Sequence, residues 1–400
     1  MKIALLGYGK TTKAIAKKFQ NCLIFDDNFK TNSIDEFGNE LLVTKEFFKT
    51  KSDIQIPSPG FPPNHSLIKH SSNLISEYDF FWNDFPFSIW ISGTNGKTTT
   101  TQMLHHLLKS KEAVTGGNIG VPLAQLDPKK PIWILESSSF SLHYTKEAYP
   151  GLYLLLPIKP DHLSWHGSFS LYEEDKLSVL KRMKEGSIAI VPKKYINYKT
   201  KAKLIAYEDE FDLAQKLHIK IDKIEFKSPF LMDSILALSA TKILFDEINY
   251  ELINRFKTDK HKLEEFKDQK GRLWVNDTKG TNVDATIEAI KRYKDAHILL
   301  ILGGDDKGVA LEPLFEVLKH LNIKIFAIGS NYAKIITLAK KYGKISVECI
   351  ELKKAVELID KEHSNKTVAL LSPAAASLDQ FESYEERGEL FKKFVMRESL

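Results

Sequence analysis

Cysteine is nearly absent: Cys22 and Cys349 are the only two in 400 residues, far apart and in no paired spacing. That excludes a disulfide framework and a cysteine-ligated zinc site, and it fits a reducing compartment. Long apolar runs are missing too, none approaching the ~20 residues of a membrane-spanning helix. Met1 leads directly into the strand-like Ile3–Leu6 with no charged-then-apolar leader, so a cytoplasmic location without membrane insertion is expected. Charge of one sign is scarce. The net +5 is small for this length, and the pairs Lys17-Lys18, Lys129-Lys130, Lys193-Lys194 and Lys353-Lys354 are scattered without interleaved aromatics. A nucleic-acid groove would cluster them, so nucleic acid is not an expected partner. Repeats and low-complexity tracts are also missing. What remains, 43% hydrophobic and 27% charged, is a folded globular composition. The length exceeds what one core organises, so two or three domains are expected.

The most specific stretch present is Gly93-Thr94-Asn95-Gly96-Lys97-Thr98-Thr99. An apolar strand (87–91) leads into it, and a helix over 100–111 is predicted to follow. Glycines let backbone N–H groups turn toward a triphosphate, Lys97 can reach the β and γ phosphates, and Thr98 can hold Mg²⁺. The spacing G-x-x-G-K-T-T is shorter than the common G-x-x-x-x-G-K-[ST] form. A glycine turn with an incidental lysine is the weaker alternative, because strand, loop, Lys-Thr and helix occur in order.

The fold class that follows is α/β in three parts: a Rossmann-like segment over 1–87, a central P-loop-type ATP-binding segment over 88–257 with a mostly parallel sheet, and a Rossmann-like α/β segment over 258–400. In the first, strand Ile3–Leu6, turn Gly7-Tyr8-Gly9, helix 11–19 and strand 22–25 ending at Asp26-Asp27 make half a dinucleotide fingerprint. Strand 53–56 ends in the rigid turn Pro57-Ser58-Pro59-Gly60. In the second, strands end at Gly117-Asn118, at Glu136-Ser137-Ser138-Ser139-Phe140 and at Lys159-Pro160-Asp161-His162. Ser170-x-x-Glu173 is predicted as a capping box opening a helix over 171–183 that carries Lys176. A further helix is predicted over 230–246. In the third, strand ends carry Asn276–Asn282, Gly303–Lys307, Gly329-Ser330 and Ser372–Ser377. Polar residues at successive strand tips are what a parallel sheet with its site at one edge shows. Thr98, Glu136 and His162 lie on three such tips of the central segment, and hydroxyl, carboxylate and imidazole beside a triphosphate suit Mg²⁺.

The motifs G-T-N-G-K-T-T (93–99), G-N-I-G (117–120), E-S-S-S-F (136–140), D-H-L-S-W-H-G-S (161–168) and N-D-T-K-G-T-N (276–282) resemble those of the Mur ligases, the ATP-dependent amino-acid ligases of peptidoglycan precursor synthesis. The block from Leu371 to Phe381, with Glu386-Arg387-Gly388 behind it, resembles the D-glutamate-adding branch. The resemblance implies transfer of the ATP γ-phosphoryl group to UDP-N-acetylmuramoyl-L-alanine, then attack by D-glutamate through a tetrahedral intermediate, in a monomeric chain. It implies that Gly93, Thr94, Asn95, Gly96, Lys97, Thr98 and Thr99 hold ATP, with Asp277 and Lys279 on the ATP side. Thr98 and Glu136 would serve one Mg²⁺ and His162 a second, and Lys176 falls where the family carries a carbamylated lysine able to help hold metal. Gly7, Thr11, Asp26 and Asn118 would contact the uridine nucleotide; Thr281, Lys307, Ser377, Leu378 and Tyr384 would hold D-glutamate.

The sequence departs from the family at three places. Phe230-Leu231-Met232-Asp233-Ser234 replaces the usual His-Asn-x-x-Asn near the adenine, His261-Lys262 replaces a common His-Arg, and Trp165 stands where arginine is frequent. Other Mur-type acceptors or a folylpolyglutamate-type ligase are alternatives that the Ser377-Leu378-Asp379-Gln380-Phe381 block opposes. A nicotinamide dehydrogenase would have no use for the 93–99 loop, and a non-catalytic ATP-binding regulator none for Glu136, His162 and Lys176.

Overall fold

Three sheets organise the computed structural model, which describes residues 1–306 and 308–397. The first contains β1 (Ile3–Leu6), β2 (Leu23–Phe25), β3 (Ser33–Ile34), β4 (Glu40–Leu42) and β5 (Ile54–Pro57) in the order β3-β4-β2-β1-β5. Only β3 pairs antiparallel. β1, β2 and β5 are buried throughout, as short apolar strands inside a parallel sheet should be.

The second sheet is wholly parallel: β6 (Phe87–Ser92), β7 (Val114–Gly117), β8 (Ile132–Glu136), β9 (Leu152–Leu155), β10 (Ile188–Pro192) and β11 (Lys203–Tyr207) lie in the order β11-β10-β9-β6-β8-β7. The chain leaves β6 for β7, returns to β8, then crosses to β9 on the opposite side. The carboxyl end of β6 is therefore the switch point at which such sheets open a ligand crevice. The third sheet contains β12 (Glu264–Lys267), β13 (Leu273–Asn276), β14 (His297–Gly303), β15 (Ile323–Ile328), β16 (Ile345–Ile350) and β17 (Thr367–Leu371) in the order β12-β13-β17-β14-β15-β16, with β12 alone antiparallel. No described helix is long and apolar enough to cross a membrane.

Contacts divide the chain into two compact units, Met1–Phe226 with Phe230–Phe256, and Lys227–Pro229 with Lys257–Leu400. In the first unit both sheets share a continuous core in which Leu5, Ile15 and Ile56 join Trp90, Leu135 and Tyr153. Tyr78 lies within it, its ring edge-on to Trp90 at 4.6 Å and its hydroxyl 3.1 Å from Ser137 Oγ. In the second unit Trp274, Phe326 and Phe391 centre a separate core.

Glu77, next to Tyr78, is enclosed by this shared core. Burial pushes its carboxyl up to about 7, against the opposing pull of the Ala124 and Leu123 amides. The folded protein thus keeps a proton that the unfolded chain releases near 4.5. The associated stability is present below that pH and is lost as pH rises through about 7. Glu77→Gln stays neutral throughout. It is expected to match the wild type most closely near pH 5 and to melt a few degrees higher at pH 8, worth about 2 kcal/mol; thermal unfolding across that range checks this.

Two helices start two or three residues away from the sequence-based expectation. The helix after the glycine loop runs Lys97–Leu108, followed by a tight turn at Lys109–Lys111, so it starts three residues earlier than predicted. The helix carrying Lys176 runs Phe169–Arg182 and is capped by Ser168, whose hydroxyl accepts from the Leu171 amide, not by Ser170. Gly167, at φ +83°, ends the short helix Leu163–His166 and leaves Ser168 as the extended residue from which the next helix starts.

Candidate active site

The glycine loop turns where only glycine is comfortable. Gly93 has φ +135° and Gly96 φ +88°, and a Cβ at Gly96 would run into the Asp233 carboxylate. Gly96 is the N-cap of the twelve-residue helix and offers no side-chain oxygen, so the positive end of that helix faces the loop. Lys97 curls over the loop, its Nζ donating to the carbonyls of Gly93 (3.1 Å) and Thr94 (2.9 Å). Thr94 braces the loop: its Oγ1 accepts from the Lys159 amide at 2.8 Å and shares a hydrogen bond with the Tyr172 hydroxyl at 3.0 Å. Asp233 accepts from Thr100 Oγ1 at 2.9 Å and fastens the helix Phe230–Phe245 to the loop's helix. Sequence reasoning gave Asp233 no part; the only signal was its place in the stretch that departs from His-Asn-x-x-Asn.

Glu136, at the end of β8, is 2% exposed and held from both sides. Thr98 Oγ1 donates to Oε2 at 2.8 Å, and Asn118 Nδ2 donates to Oε1 at 2.6 Å. Two oxygens on adjacent corners of an octahedral Mg²⁺ stand about 2.9 Å apart, given bonds of about 2.0–2.1 Å. The Thr98–Glu136 pair therefore fits such an ion. His162 opens the short helix Leu163–His166 that follows β9. It sits nearly half exposed, at φ +51°, with Nε2 3.7 Å from Asp161 and its ring 4.8 Å from Phe140.

Lys176 is wholly enclosed. Its Nζ donates to Gly93 O at 2.8 Å, approaches Ser92 Oγ at 3.4 Å and lies over the Tyr172 ring at 4.8 Å. Burial first, then the nearby charge of Lys97, lower its pKa well below that of an ordinary lysine, while Asp161, Glu136 and Asp175 oppose the shift. The amine of Lys176 is thus biased toward its neutral, nucleophilic form beside the phosphate loop.

The remaining described sites predicted from sequence fall on strand ends, turns and helix starts of their own units. Gly7 closes β1, donating to Phe25 O at 2.7 Å, and Thr11 is half-buried in the first turns of the following helix. The Asp26 carboxylate accepts from the amides of Tyr8 (2.7 Å) and Asn28 (2.9 Å), so it ties the β1 and β2 turns together. In the second unit Asp277 is buried, accepting from Ser372 Oγ at 2.6 Å and the Leu263 amide at 3.2 Å, and burial pushes its carboxyl up to about 7. Lys279 Nζ lies 3.5 Å from Asp259. Thr281 is exposed, Ser377 buried, Leu378 largely exposed and Tyr384 half-buried at the start of the last helix. Lys307 lies outside the described residues.

Arg387 organises this edge, although the Glu386-Arg387-Gly388 motif by itself indicates no role for it. It is fully buried, and its guanidinium donates to Thr278 Oγ1 (2.8 Å), Thr278 O (3.0 Å), Ala375 O (3.2 Å) and Ala376 O (3.3 Å). One side chain therefore holds the turn after β17 against the turn after β13. Burial lowers its pKa to about 10, which still leaves it charged at neutral pH.

Residues 91–231 match the Mur ligase middle domain family. The chain is 58% identical over 399 residues to the UDP-N-acetylmuramoylalanine–D-glutamate ligase of Campylobacter jejuni subsp. jejuni serotype O:23/36 (strain 81-176), with 99% of each chain covered. It is 45% identical over 422 residues to the protein of that name from Helicobacter pylori (strain ATCC 700392 / 26695), covering 100% of both. In fold it resembles the MurF ligase from Thermotoga maritima in complex with ADP, with a TM-score of 0.60 at 15% identity over 95% of this chain and 96% of that one. Identity that extends from end to end, on a phosphate loop and a Thr–Glu pair of this geometry, places the chain in one family: it belongs to the Mur ligases.

Proposed function

We propose that the protein joins D-glutamate to UDP-N-acetylmuramoyl-L-alanine in the cytoplasm, converting ATP to ADP and phosphate, as a step of peptidoglycan precursor synthesis. The observation that carries this reading is full-length identity of 58% to a ligase so named. In the reaction, a carboxylate oxygen of the alanyl end attacks the γ-phosphorus and ADP leaves. The amine of D-glutamate then adds to the acyl carbon, loses a proton, and the tetrahedral species expels phosphate to leave the amide. The protein needs no covalent intermediate of its own; its work is alignment and charge neutralisation.

Lys97 and the amides at the helix N-terminus balance charge on the moving phosphoryl group. Thr98 and Glu136 are suited to hold one Mg²⁺, which when bound supplies further neutralisation of the phosphate oxygens; His162 is assigned to a second. Lys176 has the chemistry for carbamylation. A neutral amine adds to CO₂, releases a proton and becomes an anionic carbamate that can help hold metal. Gly93, Thr94, Asn95, Gly96, Thr98 and Thr99 shape the ATP cradle, and Asp277 and Lys279 are also assigned to ATP. Gly7, Thr11, Asp26 and Asn118 are assigned to the uridine nucleotide, and Thr281, Lys307, Ser377, Leu378 and Tyr384 to D-glutamate.

Oxygen transfer tests the acyl-phosphate step. When both carboxylate oxygens of the alanyl group carry ¹⁸O, one labelled oxygen is expected in the released phosphate and one in the amide. Unlabelled phosphate would contradict the proposed route.

A further inference from the structure

One chain of contacts in the first unit links the turn after β5 to His162. Residues Ser58–Phe61 of that turn lie against the β1 turn. A Cβ at Gly7 would stand 3.0 Å from the Phe61 ring and 3.2 Å from Ser58 Cβ, and one at Gly9 would stand 2.7 Å from Ser58 Oγ. Two side chains from short helices that follow strands of the second sheet, Ser139–Tyr144 and Leu163–His166, grip the same turn by its main chain. Trp165 Nε1 donates to Gly60 O at 3.0 Å, and the Tyr144 hydroxyl donates to Phe61 O at 2.5 Å.

The Trp165 ring is held in place. Its centroid lies 4.7 Å from Phe140, 4.5 Å from His166 and 5.1 Å from His143. Asp175 pins both histidines, accepting from His166 Nδ1 at 2.8 Å and His143 Nδ1 at 3.0 Å. Burial would raise the Asp175 carboxyl, but the hydrogen bonds and electrostatic attraction of the two histidines together outweigh it and hold the group below the usual carboxylate range. The buried His166 is fixed from its other side by Ser139 Oγ, 3.0 Å from Nε2. Phe140 stacks on His166 with an interplanar angle of 12° and meets His162 at 4.8 Å. A line of packed rings thus runs from the Ser58–Phe61 turn to His162, at the start of the helix Leu163–His166.

We propose that Trp165 and Tyr144 are positioning residues for the sugar-nucleotide substrate: they hold the Ser58–Phe61 turn over the Gly7–Gly9 turn and, through Phe140, tie its placement to that of His162. This rests on the assignment of the Gly7 turn to the uridine nucleotide. Both grips are hydrogen bonds to carbonyl oxygens, so they fix the backbone and leave Ser58 and Phe61 directed at the glycines. A turn ordered before binding spares the ligand the cost of ordering it.

Calorimetric titration with UDP-N-acetylmuramoyl-L-alanine, without ATP, tests this on wild type, Trp165→Phe and Tyr144→Phe, alongside steady-state kinetics. Trp165→Phe keeps an aromatic ring and removes the N–H donor. Each variant is expected to weaken nucleotide binding and raise its KM by about three- to tenfold. KM for ATP and for D-glutamate, and kcat, should stay close to wild type. Trp165→Ala, which also removes the ring from this line, should lower kcat as well. Wild-type binding with unchanged affinity in both conservative variants would overturn the proposal alone, as would KM values for all three substrates rising together. A wild type that fails to bind the nucleotide would overturn the substrate assignment and this inference with it.

Discussion

Lys97→Ala is expected to lower ATP-dependent turnover by about three orders of magnitude while leaving the melting temperature nearly unchanged. The phosphoryl group in flight spreads negative charge over its oxygens, and a preorganised cation at that point acts more strongly in the transition state than on bound ATP. Removing one such donor from an enclosed site typically costs about 10²–10³ in rate, and a full charge belongs at the upper end. The structure gives a reason to expect little change in stability. Lys97 is half-buried and its ammonium rests on the carbonyls of Gly93 and Thr94, which belong to a loop already braced by Thr94 and Asp233. ADP formation and thermal unfolding, measured on the same preparation, separate the two effects. Residual activity within tenfold of wild type would remove Lys97 from the transfer step.

Lys176→Ala is expected to lose activity by a similar factor, about 10²–10³ if the loss is that of one group stabilising the transition state. Its response to additives is the more telling result. Raising bicarbonate cannot rebuild a carbamate on alanine and should restore nothing. Short carboxylic acids such as formate or acetate supply a carboxylate of the right kind and should return part of the lost activity. In the wild type the buried amine, with Lys97 nearby and its pKa well below the ordinary lysine value, is set to react with CO₂. Full activity in Lys176→Ala would remove the carbamate from the account. Melting data are needed beside the kinetics, because the lysine stem fills space beneath the loop next to Tyr172.

Sequence reasoning located the strand tips well, for a physical reason. Parallel strands covered on both faces appear as short unbroken apolar runs, and the polar residues after them mark the ligand edge; Ile89–Ile91 before Gly93 and Ile134-Leu135 before Glu136 show this directly. The pairing of Thr98 with Glu136 came from the family resemblance; the structure brings the two together because β6 and β8 are neighbours. What was not legible depends on partners distant in sequence. Nothing near Asp233 announces that its carboxylate lies against Gly96 and Thr100, and nothing near Arg387 announces four acceptors in the 278 and 375–376 turns. In the sequence Trp165 stands out only as a departure from arginine, whereas its indole donates to Gly60, 105 positions earlier. The capping serine was missed by two residues because Ser168 and Ser170 both precede helical residues, and only the backbone at Gly167 decides between them.

Whether this cradle serves a ligase with D-glutamate as acceptor is tested most directly by measuring ADP release with each component withheld in turn. ADP should appear only when ATP, UDP-N-acetylmuramoyl-L-alanine and D-glutamate are present together, one molecule for each amide bond formed. Equal turnover with L-glutamate or meso-diaminopimelate in place of D-glutamate would contradict the assignment.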